Sequence, residues 1–237
     1  MIDKLREEML RIQGYTRTVH ASARIPGLLP IETVFPNRVF PLASVHEFSS
    51  STAAECSATC GFLSGILDHI LQKKGICVWV GRFRKTFPPA LAQFGHQPES
   101  FIFIDTDRDK QVLWVVEEAL KCASVHAVVG EVEQINFVQS RRLQLAAEKK
   151  GITAFLLNRN SERTAGSVCA ARWRISPVSG EIVENMPGVG FPRWNVELLK
   201  VRNGDTGSWK VTWQGDHFTT ARRTALRVQE ITERKTG

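Results

Sequence analysis

The chain has 237 residues, of which 43% are hydrophobic and 23% are charged, and its formal net charge is +7. It is long enough to bury a sizeable core, and its composition excludes collagen-like and intrinsically disordered proteins. No segment approaches the roughly 18 consecutive apolar residues that span a bilayer. The amino terminus, MIDKLREEMLRIQG, lacks the apolar stretch of a secretory signal. We therefore expect a cytoplasmic protein with no membrane partner.

The net charge bears on binding to DNA, and the cysteines bear on whether the chain contains disulfides. The net positive charge permits weak nonspecific contact with DNA, because cationic side chains release counterions from phosphates. A solvated basic surface explains the same charge without DNA. The five cysteines are an odd number and are scattered along the chain. This distribution favours packed thiols over a disulfide framework.

The first 41 residues are predicted to be a helix and a connector that lies over another part of the protein, and the helix could pack on its own domain or on a neighbouring subunit. Residues 1–13 carry an apolar stripe at Ile2, Leu5 and Met9 that has the spacing of a short helix. Residues 14–41 contain several prolines and no periodic pattern, so they are predicted to be a connector.

Residues 42–214 are predicted to form one core domain of α/β class. Five short apolar runs alternate with helical patterns, which is typical of a parallel sheet with helices on both faces. Three more strand patterns follow residue 158 without helices between them, and they predict an antiparallel extension joined by an Asn-Gly hairpin. The strands are predicted at residues 44–48, 76–80, 101–104, 125–129, 152–157, 171–175, 193–201 and 208–213. The first long helix is predicted to end at residue 71, and two more helices are predicted at 110–122, with acidic caps from 105–109, and at 138–149.

The turn after the first strand is placed where a phosphate loop would lie. Laid on the pattern GxxxxGK[ST], residues 50–57 lack both glycines, and Cys56 stands in place of the lysine. Ser50 stands in place of the first glycine, Glu55 adds a negative charge that repels a triphosphate, and only Ser57 keeps the hydroxyl of the pattern on the magnesium side. We therefore expect no nucleotide cofactor. The alternative role for residues 49–52 is a helix cap made by serine and threonine hydroxyls.

The order of these elements resembles the core of the RecA-type recombinases. Several segments are more specifically similar to the ImuA family, the RecA-like accessory proteins of bacterial error-prone translesion synthesis. These segments cover residues 41–213 and include PLASVHEF, FPPALAQFG, QVLWVVEEALKC, SRRLQLAAE, ARWRI and RWNVELLK. The resemblance implies a role in mutagenesis after DNA damage, in the SOS response. It also implies an ImuB-type inactive Y-family polymerase and a C-family polymerase as partners, and possible contact with RecA.

Two further positions bear on whether the protein is an enzyme. An active RecA-like ATPase has a carboxylate after the second strand, whereas this chain has Gly81 and Arg82, and a cation cannot act as that base. The fourth strand runs into Gly130 and Glu131 where such an enzyme has an aspartate, and a lone glutamate there is more often a surface residue or a cap. We expect a noncatalytic adaptor. The alternatives are a weak ATPase that uses Ser57 and Glu131, and a cell-division inhibitor of the SulA type, which shares the RecA-like core.

Several cationic residues are candidate contacts for DNA or for a partner protein, and each also has a purely structural explanation. Two lie on the third long helix, and three lie in residues 215–237, which are predicted to be a basic tail. The other two follow the fifth strand, where the resemblance implies a DNA-contacting loop, but the segment 158–168 of this chain is short and disfavours strong DNA binding. The candidates are Arg141, Arg142, Arg159, Arg163, Arg222, Arg223 and Arg227.

Two other groups of residues were considered as sites. Cys56 and Cys60 lie one helical turn apart, but without a second ligand pair packed thiols are favoured, and we expect no metal. No GxSxG motif is present, so a serine hydrolase is not favoured. The tryptophans of the later strands are predicted to lie in the sheet core, and base stacking is the alternative for one of them. They are Trp173, Trp194, Trp209 and Trp213.

Overall fold

The computed structural model describes residues 24–72, 74–82, 88–159, 166–180 and 190–221. The predicted amino-terminal helix lies outside these residues, as do Arg163 and the three arginines of the predicted tail. No helix of the described chain is long and apolar enough to cross a membrane.

The described chain folds around a single mixed sheet with the strand order β3-β2-β4-β5-β1-β6-β7-β8-β9. The first six strands in this order run parallel, and the last three are antiparallel. The strands are β1 (Val45–Ser49), β2 (Cys77–Gly81), β3 (Phe101–Asp105), β4 (Ala127–Val132), β5 (Thr153–Asn158), β6 (Ala171–Val178), β7 (Arg193–Val201), β8 (Gly207–Gln214) and β9 (His217–Thr220). The α/β class and the RecA-like arrangement of the sheet are confirmed.

Five helices connect or cover these strands in the described residues. They are α1 (Leu29–Glu32), α2 (Ala53–Leu71), α3 (Pro88–Leu91), α4 (Asp109–Ala119) and α5 (Phe137–Lys150). The ends of α5 follow directly from the sequence, because Asn136 and Gln139 form a capping box and Gly151 adopts φ 72° after the last turn. The acidic cap expected for α4 is absent, since its N-cap residue is Arg108, which makes no side-chain cap hydrogen bond.

The carboxyl-terminal part of the sheet confirms one sequence prediction and corrects another. Strands β6, β7 and β8 form the predicted antiparallel meander, and β6 joins it to the parallel part of the sheet by pairing in parallel with β1. Residues 215–237 were expected to be a tail, yet β9 pairs with β8, and Phe218 is only 1% exposed. The sheet therefore extends past residue 214, because Phe218 packs its ring against Trp213 and Phe62.

Apolar side chains form one core on each face of the sheet. Alternation along β2 illustrates this, since Trp79 lies in one core and Val78 and Val80 lie in the other. Helix α2 covers the first face, whereas α4 and α5 cover the second. Residues 24–41, predicted to be a connector, contribute to the first core through Ile25, Leu28, Ile31, Val34, Phe35 and Phe40.

Candidate functional site

The turn between β1 and α2 is closed by its own side chains. Thr52 is the N-cap of α2, and its hydroxyl accepts a hydrogen bond from the backbone amide of Glu55 at 3.1 Å. The expected helix cap is therefore confirmed at Thr52. The exposed amides at the start of a helix need such acceptors, because the helix itself offers them none.

The carboxylate of Glu55 is the anion at the amino-terminal end of α2. Its Oε2 atom accepts a hydrogen bond from the backbone amide of Ser51 at 2.6 Å. A negative group at this end of a helix is favoured by the helix dipole. The side chain of Glu55 thus satisfies a backbone donor and supplies the charge that an anionic ligand would otherwise bring.

Ser50, in the same turn, is packed against the neighbouring elements. Ser50 is buried, its hydroxyl lies 3.2 Å from that of Thr59, and its amide donates to the carbonyl of Asn158 at 3.0 Å. Cys56 is partly buried and Ser57 is exposed. The turn is thereby fixed against β5 on one side and against α2 on the other.

Glu131 on β4 is a buried side chain, in contrast to the surface residue or cap that the sequence suggested. It is 5% exposed, accepts a hydrogen bond from the indole nitrogen of Trp79 at 3.0 Å, and forms an ion pair with Arg159. Gly81 makes room for this carboxyl group, because a Cβ there would lie 3.1 Å from the Cδ of Glu131. Arg159 therefore balances the charge of Glu131, and Gly81 leaves the space that its carboxyl group occupies.

Arg82 follows β2 at the same edge of the sheet. Its guanidinium lies 4.0 Å from the carboxylate of Asp109 and 3.8 Å from that of Glu133. The carboxyl ends of β2 and β4 thus carry a network in which cations and carboxylates alternate. A carboxylate at the position of Arg82 is the group that an ATPase would need to activate water.

An apolar cavity of about 340 Å³ lies beside this network, between α2 and the start of β7. Cys56, Cys60 and Gly61 form its wall on α2, and Phe94 and Trp194 face them. The two thiols are partly exposed, so the packed arrangement expected for them is only partial.

The arginines expected to contact DNA or a partner occupy different environments. Arg159 is paired with Glu131, whereas Arg142 pairs with Glu117 of α4 on the molecular surface. Arg141 is exposed on α5. The structure therefore brings only Arg159 to the carboxyl-end crevice and leaves Arg141 and Arg142 next to each other on the surface of α5.

The tryptophans of the later strands are buried, as predicted. Trp173 and Trp209 are 0% and 1% exposed, and Trp194 and Trp213 are each 4% exposed. Trp173 also donates its indole hydrogen to Nδ1 of His46, which is buried on β1. None of these four rings is exposed for base stacking.

Comparison with known proteins identifies the family of the chain. No protein-family model matches it. Protein ImuA of Caulobacter vibrioides strain NA1000 / CB15N and Protein ImuA of strain ATCC 19089 / CIP 103742 / CB 15 are each 31% identical to it over 191 residues. The match covers 76% of this chain and 78% of each relative. The chain belongs to the ImuA family. The resemblance seen in the sequence is thereby confirmed.

Sequence reasoning missed several residues that organise this ImuA-family crevice. Trp79 was read only as an apolar strand residue, and its hydrogen bond to Glu131 spans 52 positions of the chain. Asn158, at the end of β5, donates its side-chain amide to the buried Glu47 of β1 at 3.1 Å. The polar residues Glu131 and Asn158, near the ends of β4 and β5, are the signal that could have grouped part of this network, since the carboxyl ends of parallel strands meet at one edge of the sheet.

Proposed function

We propose that this ImuA-family chain is a noncatalytic adaptor in the translesion-synthesis system that acts after DNA damage. In this proposal it links an ImuB-type polymerase-like protein to a C-family error-prone polymerase. Membership of the ImuA family supports a role in that system. The adaptor role itself is inferred from the chemistry of the crevice at the head of α2.

The hydrogen bond from the Ser51 amide to the Glu55 carboxylate carries the proposal. A triphosphate needs inward-facing amides and a nearby ammonium group, because it brings several negative charges to one place. Here the Ser51 amide is already paired with a carboxylate. A phosphate at this point would displace that carboxylate and be repelled by it. A RecA-like protein that does not use nucleotide acts through contacts between its surface and other proteins.

The charges at the neighbouring strand ends support the same proposal. Arg82 lies where an ATPase needs a carboxylate, and Glu131 is engaged by Trp79 and Arg159. A general base must be free to accept a proton from water. Both carboxylate oxygens of Glu131 are already engaged, one by the indole of Trp79 and the other by Arg159, so activation of water by Glu131 is disfavoured.

Association with the partners tests the adaptor role. The full-length chain, carrying an affinity tag, is mixed with a purified ImuB-type protein and then with the C-family polymerase, at low and at moderate salt. We expect capture of the ImuB-type protein alone and of both proteins together. Absence of capture at both salt concentrations would remove the adaptor role.

Nucleotide binding and turnover separate the adaptor from the residual ATPase. Calorimetry with ATP and magnesium is expected to show no binding, and phosphate release is expected to equal the blank. Ser57→Ala and Glu131→Gln serve as matched variants. Turnover that is present in the wild type and lost in both variants would establish the ATPase and overturn the noncatalytic proposal.

A further inference from the structure

Helices α4 and α5 expose an unusual share of large apolar side chains. Eight such side chains are exposed in the described part of the chain, and four of them lie on these two helices. The four are Trp114 at 62% exposure, Phe137 at 54%, Val138 at 66% and Leu145 at 54%. Single exposed apolar residues are normal, whereas a cluster of them marks a contact surface.

The periodicity of each helix places these side chains opposite its buried face. In α4 the buried residues are Val112, Val116 and Ala119, and Trp114 lies on the other side of the helix. In α5 the apolar residue Leu143 faces the core. The sequence therefore contains apolar residues on the faces of both helices that core packing does not use.

The two helices present one common surface. An ion pair joins Glu117 of α4 to Arg142 of α5, so the two helices lie side by side. Trp114 precedes Glu117 by about one turn, and Val138 precedes Arg142 by about one turn. The outer α4–α5 face is accordingly defined by Trp114, Val138, Arg141, Leu145 and Lys149.

This face also carries unpaired positive charge. Arg142 is neutralised by Glu117, but Arg141 and Lys149 form no ion pair with any described residue. Both lie on α5 among the exposed apolar residues. Carboxylates on a partner would complement these two cations, while apolar side chains of the partner would cover Trp114.

We propose that the outer α4–α5 face docks a protein segment that combines apolar side chains with carboxylates. The proposal rests on the adaptor role and names the surface through which that role is exerted. Nucleic acid fits the face less well, because Trp114 is its single aromatic ring, and Val138 and Leu145 are aliphatic and cannot stack on bases. A protein segment with apolar side chains and carboxylates would contact both the apolar and the cationic side chains of this face.

Four variants of the full-length chain test the docking face. Trp114→Ala removes the proposed anchor, and Arg141→Glu reverses one free charge. Leu199→Ser is the apolar control, because Leu199 is 40% exposed on β7, and Lys210→Glu is the charge control, because Lys210 is exposed on β8. The Kd for the purified ImuB-type protein is measured by surface plasmon resonance, with melting temperature and sedimentation recorded for each variant.

We expect Trp114→Ala to raise Kd by roughly 30-fold, as for a buried aromatic anchor, and Arg141→Glu to raise it while reducing its salt dependence. The controls should bind like the wild type. Normal binding by both face variants would overturn the docking face and leave the adaptor role intact. Absence of wild-type binding would overturn both proposals.

Three further results would also overturn the docking face. A lower melting temperature for isolated Trp114→Ala would mean that the chain covers this face itself. Loss of self-association in the face variants would identify a second copy as the occupant. Loss of binding to single-stranded DNA, with protein binding unchanged, would identify a nucleic-acid surface.

Discussion

The crevice at the head of α2 and the outer α4–α5 face contain the same kinds of residue in opposite arrangements. In the crevice, Glu55 is bonded to the amide of Ser51, and Glu131 is enclosed by Trp79 and Arg159. On the outer face, Trp114 and Arg141 point away from the protein. The carboxylates named in the crevice are paired within the protein, whereas the side chains named on the outer face are exposed to solvent.

This contrast separates stability from recognition. Groups that are already paired inside the protein offer little free energy to a ligand, because binding must first break those pairs. Exposed aromatic and cationic side chains offer more, since their burial by a partner removes apolar surface from water. In the proposals made here, the crevice at the head of α2 has a structural role, and the outer α4–α5 face is the region that recognises a partner.

The largest expected effect comes from breaking the buried pair in the crevice. Glu131→Ala leaves Arg159 and the indole of Trp79 without their acceptor, and we expect it to lower the free energy of unfolding by about 3 kcal/mol. Chemical denaturation measures the change. Glu117→Ala on the outer face is the matched control and should change stability much less, because its pair with Arg142 is exposed to water. Equal effects at the two positions would contradict the contrast.

Acid sensitivity provides a second, smaller test of the paired interior. His46 is fully buried, donates from Nε2 to the carbonyl of Pro41 at 2.7 Å and accepts from Trp173, and burial lowers its pKa to about 4. In the unfolded chain His46 binds a proton below about pH 6.5, whereas in the folded chain it does so only near pH 4. The free energy of unfolding therefore decreases as the pH falls from about 6.5 to about 4. At pH 5 the loss from this group is about 2 kcal/mol.

Urea denaturation from pH 7.5 to pH 4.5 checks this effect. His46→Gln cannot take up the proton, so its stability should be lower at pH 7.5 but should fall less steeply with acid than that of the wild type. His217→Gln is the control, because His217 is exposed beside Asp216. A slope unchanged by His46→Gln would mean that other groups produce the acid sensitivity.

The smallest effect is expected at the helix caps, where the contrast can be sharpened. Thr52→Ala removes the cap of α2 and should cost about 1 kcal/mol of stability. Asn136→Ala removes half of the capping box of α5 and should cost a similar amount. The two thermal melts are compared directly. A much larger loss at Thr52 would show that the turn after β1 does more than cap a helix.

Local patterns in the sequence determined most of the secondary structure. The apolar runs became β1 to β5, the cap at Thr52 and the stop at Gly151 lie where their side chains and backbone require, and the later tryptophans are in the core. These features depend on residues within a few positions of one another, or on burial that the residue type itself favours. The family resemblance could be recognised from the same segments.

Tertiary structure alone decided which side chains meet. Three features join distant parts of the chain: the parallel pairing of β6 with β1, the contacts of Glu131 with Trp79 and Arg159, and the ion pair between Glu117 of α4 and Arg142 of α5. Sequence spacing cannot order strands within a sheet, because each strand can pair with several neighbours at similar local cost. The sequence shows that residue 131 is a glutamate, and only the fold places its carboxylate between the indole of Trp79 and the guanidinium of Arg159.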